Sequence, residues 1–122
     1  IHLEKFLGDL NIYEESCNGQ KSSWQCISRK NSITFGKYFS ITLSNQSYSA
    51  IYIPEGFAHG FCGLDKENIV YYGCSNYRNK KSEVGILWND QDLKIKWPIK
   101  NPILSKKDSQ NISFREYCNL QK

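Results

Sequence analysis

The 122 residues suit one domain spanning 1–122, and an aromatic content of 14% argues against a disordered chain. Sixteen Lys/Arg against twelve Asp/Glu leave a formal charge of +4, with the lysines at 80–81, 94, 96, 100 and 106–107 spaced by acids. That is a solvated basic surface or a pocket for a small anion, not the basic stripe with interleaved aromatics of a nucleic-acid binder. No apolar run reaches membrane-spanning length and no signal peptide is apparent, so the reading is a cytoplasmic chain without a membrane partner.

In chain order, Asn18-Gly19 is a two-residue hairpin signal, because both residues tolerate positive φ. Trp24 to Ser28 follows as a short strand. Phe39, Ile41 and Leu43 alternate with Tyr38, Ser40 and Thr42, the period of a half-buried strand. Ala50 to Ile53 reads as another strand, stopped by Pro54 and turned at Glu55-Gly56. Ile69 to Cys74 is an apolar and aromatic strand candidate, and Leu93, Ile95 and Trp97 alternate with Lys94 and Lys96. Only the tail, from about Ser109 to Leu120, suggests a short helix. Many short strands at regular spacing point to an all-β sandwich or barrel.

The five cysteines, Cys17, Cys26, Cys62, Cys74 and Cys118, are odd in number and contain no C-x-x-C pair. They indicate reduced thiols rather than a disulfide framework or zinc knuckle. The N-x-S matches at Asn45 and Asn111 are then chance. The chain starts at Ile1 and contains no Met, which leads to the expectation of a fragment, or of a chain whose N-terminal part is absent.

Three blocks carry a resemblance. Ile53 to Phe61 reads IPEGFAHGF, Gly85 to Pro98 reads GILWNDQDLKIKWP, and Ile103 to Asp108 reads ILSKKD; upstream, Ser32 to Gly36 reads SITFG. Together they resemble the dTDP-4-dehydrorhamnose 3,5-epimerase family, in order and at close to its spacing, from His2 to Asp108. The resemblance implies a cupin-like jelly roll, a homodimer, a nucleotide-sugar substrate and no metal or other cofactor. It also implies epimerisation at C3, C5 or both of a 4-keto-6-deoxy sugar, serving rhamnose and cell-surface polysaccharide synthesis.

By the same resemblance the catalytic histidine falls on His2, within Ile1-His2-Leu3-Glu4, the catalytic tyrosine on Tyr72, and the carboxylate that orients the histidine on Asp108. Substrate contacts fall on His59, Glu83 and Lys107, and the Tyr-Tyr pair whose second residue stacks on the nucleotide base falls on Tyr77-Arg78. The trio suits the chemistry. Inverting a carbon beside a ketone needs a base on one face and an acid on the other. An imidazole with a pKa near ~6.5 serves as base, a carboxylate fixes its tautomer, and a phenol with a pKa near ~10 returns the proton.

The chain departs from the family at Ile12, where the family has a lysine, at Ser23, where it has an acid, and at Tyr77-Arg78, where it has Tyr-Tyr. A one-residue slip in the strand would exchange Tyr71 for Tyr72. Taken alone, Asp108 equally suits a helix cap before Ser-Gln-Asn, His59 a core histidine, and Trp88 and Trp97 structural roles. A metal site on His2, His59 and Glu55 is the third possibility, and a non-catalytic nucleotide-sugar-binding or scaffold cupin the second.

Overall fold

The computed structural model describes residues 2–4, 10–12, 21–28, 30–46, 49–54, 56–74, 77, 79, 81 and 83–120; for 2–4, 10–12 and 24 it describes the backbone alone. Asn18-Gly19, Cys17, Glu55 and Arg78 lie outside these residues.

Among the described residues there are seven strands and two short helices: β1 (His2–Glu4), β2 (Leu10–Ile12), β3 (Lys21–Ile27), β4 (Tyr38–Ser44), β5 (Ile51–Ile53), β6 (Ala58–Gly63), β7 (Glu83–Gly85), α1 (Lys106–Ser109) and α2 (Phe114–Leu120). Five strands form one sheet in the order β4-β3-β6-β1-β7, and β2 pairs with β5 in a second. Every pairing is antiparallel. The fold is a cupin-like jelly roll with a short C-terminal helix.

Strand β3 lies between β4 and β6. Successive residues face opposite sides of a strand, and Ser22, Ser23, Gln25, Cys26 and Ile27 are all buried. Cys26 belongs to a cluster with Leu43, Ile51 and Ile53, with Phe57 and Val70 packed against it. This is the inner side, covered by β5. Ile27 belongs to the other side, with Ala58, Ile86, Leu93 and Tyr117. On that outer side Gln25 Nε2 donates to Ser23 Oγ at 3.1 Å and to Ser40 Oγ at 3.0 Å.

The expected strands at 24–28, 38–43 and 50–53 form as β3, β4 and β5, with small shifts of their ends. The turn after Pro54 forms too: Phe57 N donates to Pro54 O, and Gly56 takes φ +83°, where only glycine is unstrained. Two other expectations fail. Ile69 to Cys74 has no regular structure, because the run finds no ladder partner among the described residues; Ile69, Tyr71 and Tyr72 are exposed. Leu93 to Trp97 keeps its alternating burial but is not a strand. Asp90 Oδ1 accepts from the amides of Asp92 (2.9 Å) and Leu93 (3.0 Å), bending the chain, and Lys94 then takes φ +49°, outside the β region.

The tail forms two helices instead of one. Ser105 is the N-cap of α1, its Oγ accepting from Asp108 N at 3.1 Å and donating to Asp108 Oδ2 at 2.7 Å. Asp108 therefore sits in the first turn and is not the cap. A reciprocal capping box opens α2: Glu116 N donates to Ser113 Oγ, and Ser113 N donates to Glu116 Oε2 at 2.8 Å. That backbone hydrogen bond, with a second from the Ser113 hydroxyl, holds the Glu116 carboxyl below its usual pKa.

Candidate active site

The strand registers align one row of residues across the whole five-stranded sheet. Phe39 pairs with Cys26, Cys26 with His59, His59 with His2, and His2 with Gly85. Directly paired residues share a face of a sheet, so His59 lies on the inner side with Cys26. Phe61, two residues along β6, shares that face. His59 is half-buried while Phe39 is 59% exposed and Phe61 46%. An imidazole on the same sheet face as two exposed rings suits a binding surface better than a packed core.

The segment carrying Asp108 crosses this row at its β7 end. Ile112 N donates to Gly85 O at 3.2 Å, Leu87 N donates to Ile112 O at 2.9 Å, and Ile86 and Ile112 form a parallel bridge. A methyl group on Gly85 would clash with the Asn111 side-chain amide. The Asn111 amide thus occupies the space above the residue that pairs with His2. Three residues earlier, Asp108 lines a cleft of about 670 Å³ with Phe61, Gly63, Trp88 and Leu104. That volume is within the usual range for small-ligand sites. The Gly85→Ala change is expected to push Asn111 aside and cost about 1–3 kcal/mol, read as a lower thermal midpoint; an unchanged midpoint would contradict this packing.

Lys107 Nζ pairs with Glu83 Oε2 at 2.5 Å. The Glu83 side chain is 5% exposed and that of Lys107 49%. Glu83 shares the inner side with Gly85, two residues away on β7, and pairs in register with Glu4. Tyr72 is 55% exposed and Tyr77 96%, and neither lines the cleft. Ile12 pairs with Ile51 in the second sheet. Ser23 is buried on the outer side, away from His59. Trp97 Nε1 donates to Trp88 O at 2.7 Å, and Trp97 packs into the outer core, so these tryptophans support the cleft wall. Asn111 was read in the sequence only as a chance N-x-S match, because its contact with Gly85 joins positions 26 apart in the chain with no local pattern.

Burial raises the Cys26 thiol pKa to about 11, so it is neutral at physiological pH. Iodoacetamide at pH 8 is expected to leave Cys26 unmodified while exposed Cys74 reacts, as peptide mapping will show; rapid labelling of Cys26 in the folded chain would contradict its burial. Cys26, Cys62, Cys74 and Cys118 are all free thiols. Among the described residues no three His, Cys, Asp or Glu side chains cluster as metal ligands, and no helix is long and apolar enough to cross a membrane.

Residues 18–116 match the family described as dTDP-4-dehydrorhamnose 3,5-epimerase. The chain belongs to that family. It is 46% identical over 86 residues to the dTDP-4-dehydrorhamnose 3,5-epimerase of Shigella flexneri, covering 70% of this chain and 48% of that protein. It is 47% identical over 81 residues to the enzyme of that name from Neisseria gonorrhoeae, covering 66% of this chain and 25% of that one. The chain therefore spans about half the length of the first of these epimerases and a quarter of the second. Among solved structures, the rmlC epimerase of Mycobacterium tuberculosis superposes with a TM-score of 0.90 at 30% identity, over 99% of this chain and 62% of that one. The Elizabethkingia anophelis epimerase gives 0.84 at 36% identity, over 94% and 64%. An epimerase from Legionella pneumophila, solved with dTDP-4-keto-L-rhamnose, gives 0.84 at 28%, over 93% and 61%.

Proposed function

We propose that the chain epimerises a nucleotide-linked 4-keto-6-deoxy sugar at C5, C3 or both, as a homodimer in the cytoplasm. The observation that carries this reading is the inner-face row of His59, His2 and Gly85, overlain by the segment that bears Asp108. The reading needs residues 2 and 108, remote in sequence, to meet as an acid–base pair; it is supported by the backbone bond of Ile112, four residues after Asp108, to Gly85, the register partner of His2.

In this reading His2, held in one tautomer by Asp108, takes the proton from C5. The electron pair moves into the C4 carbonyl, and the enolate oxygen is stabilised by the new imidazolium and by Lys107. Tyr72 returns a proton to the opposite face of the ring, and the same steps at C3 invert that centre. His59, Glu83 and Lys107 contact the sugar nucleotide, with Tyr77 and Arg78 toward its base. Free thiols support a reducing compartment. For the dimer, β4 is an edge of the sheet and exposes Phe39, an apolar surface that a second copy can cover.

The test is product configuration. With dTDP-4-keto-6-deoxyglucose, proton coupling constants at C3 and C5 are expected to change as inverted sugar accumulates. Binding by calorimetry with unchanged couplings would overturn catalysis in favour of a sugar-nucleotide-binding cupin.

A further inference from the structure

We propose that a cleft built from the segment 88–100 is a second ligand site, separate from the Asp108 cleft, and that it takes a nucleoside polyphosphate. This site is independent of the epimerase reading.

The segment bends where Asp90 Oδ1 takes the amides of Asp92 and Leu93. Beside the bend lies a cleft of about 690 Å³, lined by Trp88, Lys94, Ile95, Lys96, Trp97 and Lys100 among others. That volume is within the usual range for small-ligand sites. Trp88, Trp97 and Ile99 also line the Asp108 cleft, but the three lysines do not, and Asp108 does not line this one. The two clefts are therefore different sites that share a wall. The wall is fixed: Trp97 Nε1 donates to Trp88 O at 2.7 Å, and Trp97 packs against the outer core.

Three cations and one acid line the cleft. Lys94, Lys96 and Lys100 are exposed, and none of them is in an ion pair among the described residues. The acid, Asp90, is buried, and its oxygens already accept three backbone amides. Asp92, the other acid of the segment, pairs with Arg115 at 3.6 Å. The cleft thus holds positive charge without a protein counter-charge, which suits phosphate oxygens. Lys94 adds a second sign. It takes φ +49°, a backbone that glycine or asparagine adopts more easily than lysine. Such strained residues gather at ligand sites.

Inorganic phosphate would need the lysines alone. Trp88, Ile95, Trp97 and Ile99 add an apolar and aromatic lining, and bases stack on aromatic side chains. The lysines fall within one short segment and one cleft rather than along a stripe, so a mononucleotide fits better than a nucleic-acid strand.

The test titrates the whole chain with ATP, followed by calorimetry and tryptophan emission. Binding with quenched emission is the expected result. Lys94→Gln, Lys96→Gln and Lys100→Gln combined should weaken it at least about tenfold, since hydrogen bonds to charged groups are lost. The triple arginine variant should retain it, and Lys100→Gln alone, outside the bend, should weaken it in the same direction. Tripolyphosphate should bind more weakly than ATP and quench less. No binding of ATP by the parent chain would overturn the site. So would unchanged affinity in the triple glutamine variant, because the nucleotide would then sit elsewhere. Tripolyphosphate matching ATP would leave a phosphate site only, and a twelve-residue oligothymidylate binding tighter than ATP would make it a strand-binding surface; either overturns the nucleoside polyphosphate.

Discussion

Replacement of His2 by alanine is expected to slow inversion at the sugar by about 10²–10⁴-fold, the usual range for loss of a general acid–base group. His2 is at the head of a three-residue strand whose backbone pairs with both β6 and β7. Alanine preserves those backbone hydrogen bonds, so the ladder survives and the loss falls on proton transfer. The KM should change far less than kcat, because the imidazole acts mainly in the transition state. Asp108→Asn removes the charge that stabilises the imidazolium and is expected to lower kcat in the same direction. Steady-state kinetics on the three proteins check this; a His2→Ala variant within threefold of the parent would remove His2 from the mechanism.

The largest effect on stability is expected at Asp90, which has no part in the proposed chemistry. Its carboxylate is buried and accepts three backbone N–H groups: Asp92 and Leu93 on Oδ1, and Phe114 at 2.8 Å on Oδ2. One side chain thus ties the turn after Trp88 to the first residue of α2. Hydrogen bonds to a charged acceptor contribute about 1.5–3 kcal/mol each, and alanine would leave the amides without that acceptor. A net loss of about 3–5 kcal/mol is expected for Asp90→Ala. At roughly 2–5 °C per kcal/mol for a domain of this size, the midpoint falls by about 10–20 °C. Asp90→Asn, which keeps an acceptor oxygen, should lose less. Calorimetric melting of both variants checks the order; equal midpoints for Asp90→Ala and the parent would contradict the network.

Much of the sheet was legible in the sequence, and for a local reason. Alternation at 38–43 and the Pro54–Gly56 stop report backbone geometry that neighbouring residues decide. The misses occurred where a distant partner decides. The run at 69–74 has strand composition, but a strand exists only with a ladder to join. The alternation at 93–97 was real as burial and false as a strand, because Asp90 captured the amides that would have extended it. The serine-x-x-acid spacings at 105–108 and 113–116 set both helix starts, whereas the sequence reading placed a single helix from about Ser109 to Leu120 and offered Asp108 itself as a cap.

The candidate site divides in the same way. His59 was picked out by its turn-rich block and His2 by family spacing, and the register then sets the two opposite each other. What the sequence could not display is the row that joins them, or the Asn111 amide over Gly85, since both arise from pairing between segments far apart in the chain. The Glu83–Lys107 pair was legible as two polar residues, but not as a tie between β7 and α1.

The most direct measurement is isotope entry. The chain is incubated with dTDP-4-keto-6-deoxyglucose in heavy water and the recovered sugar nucleotide is weighed by mass spectrometry. A gain of one or two mass units, absent with His2→Ala, is the expected result. A sugar nucleotide that binds, yet returns at its original mass from the parent chain, would contradict the account.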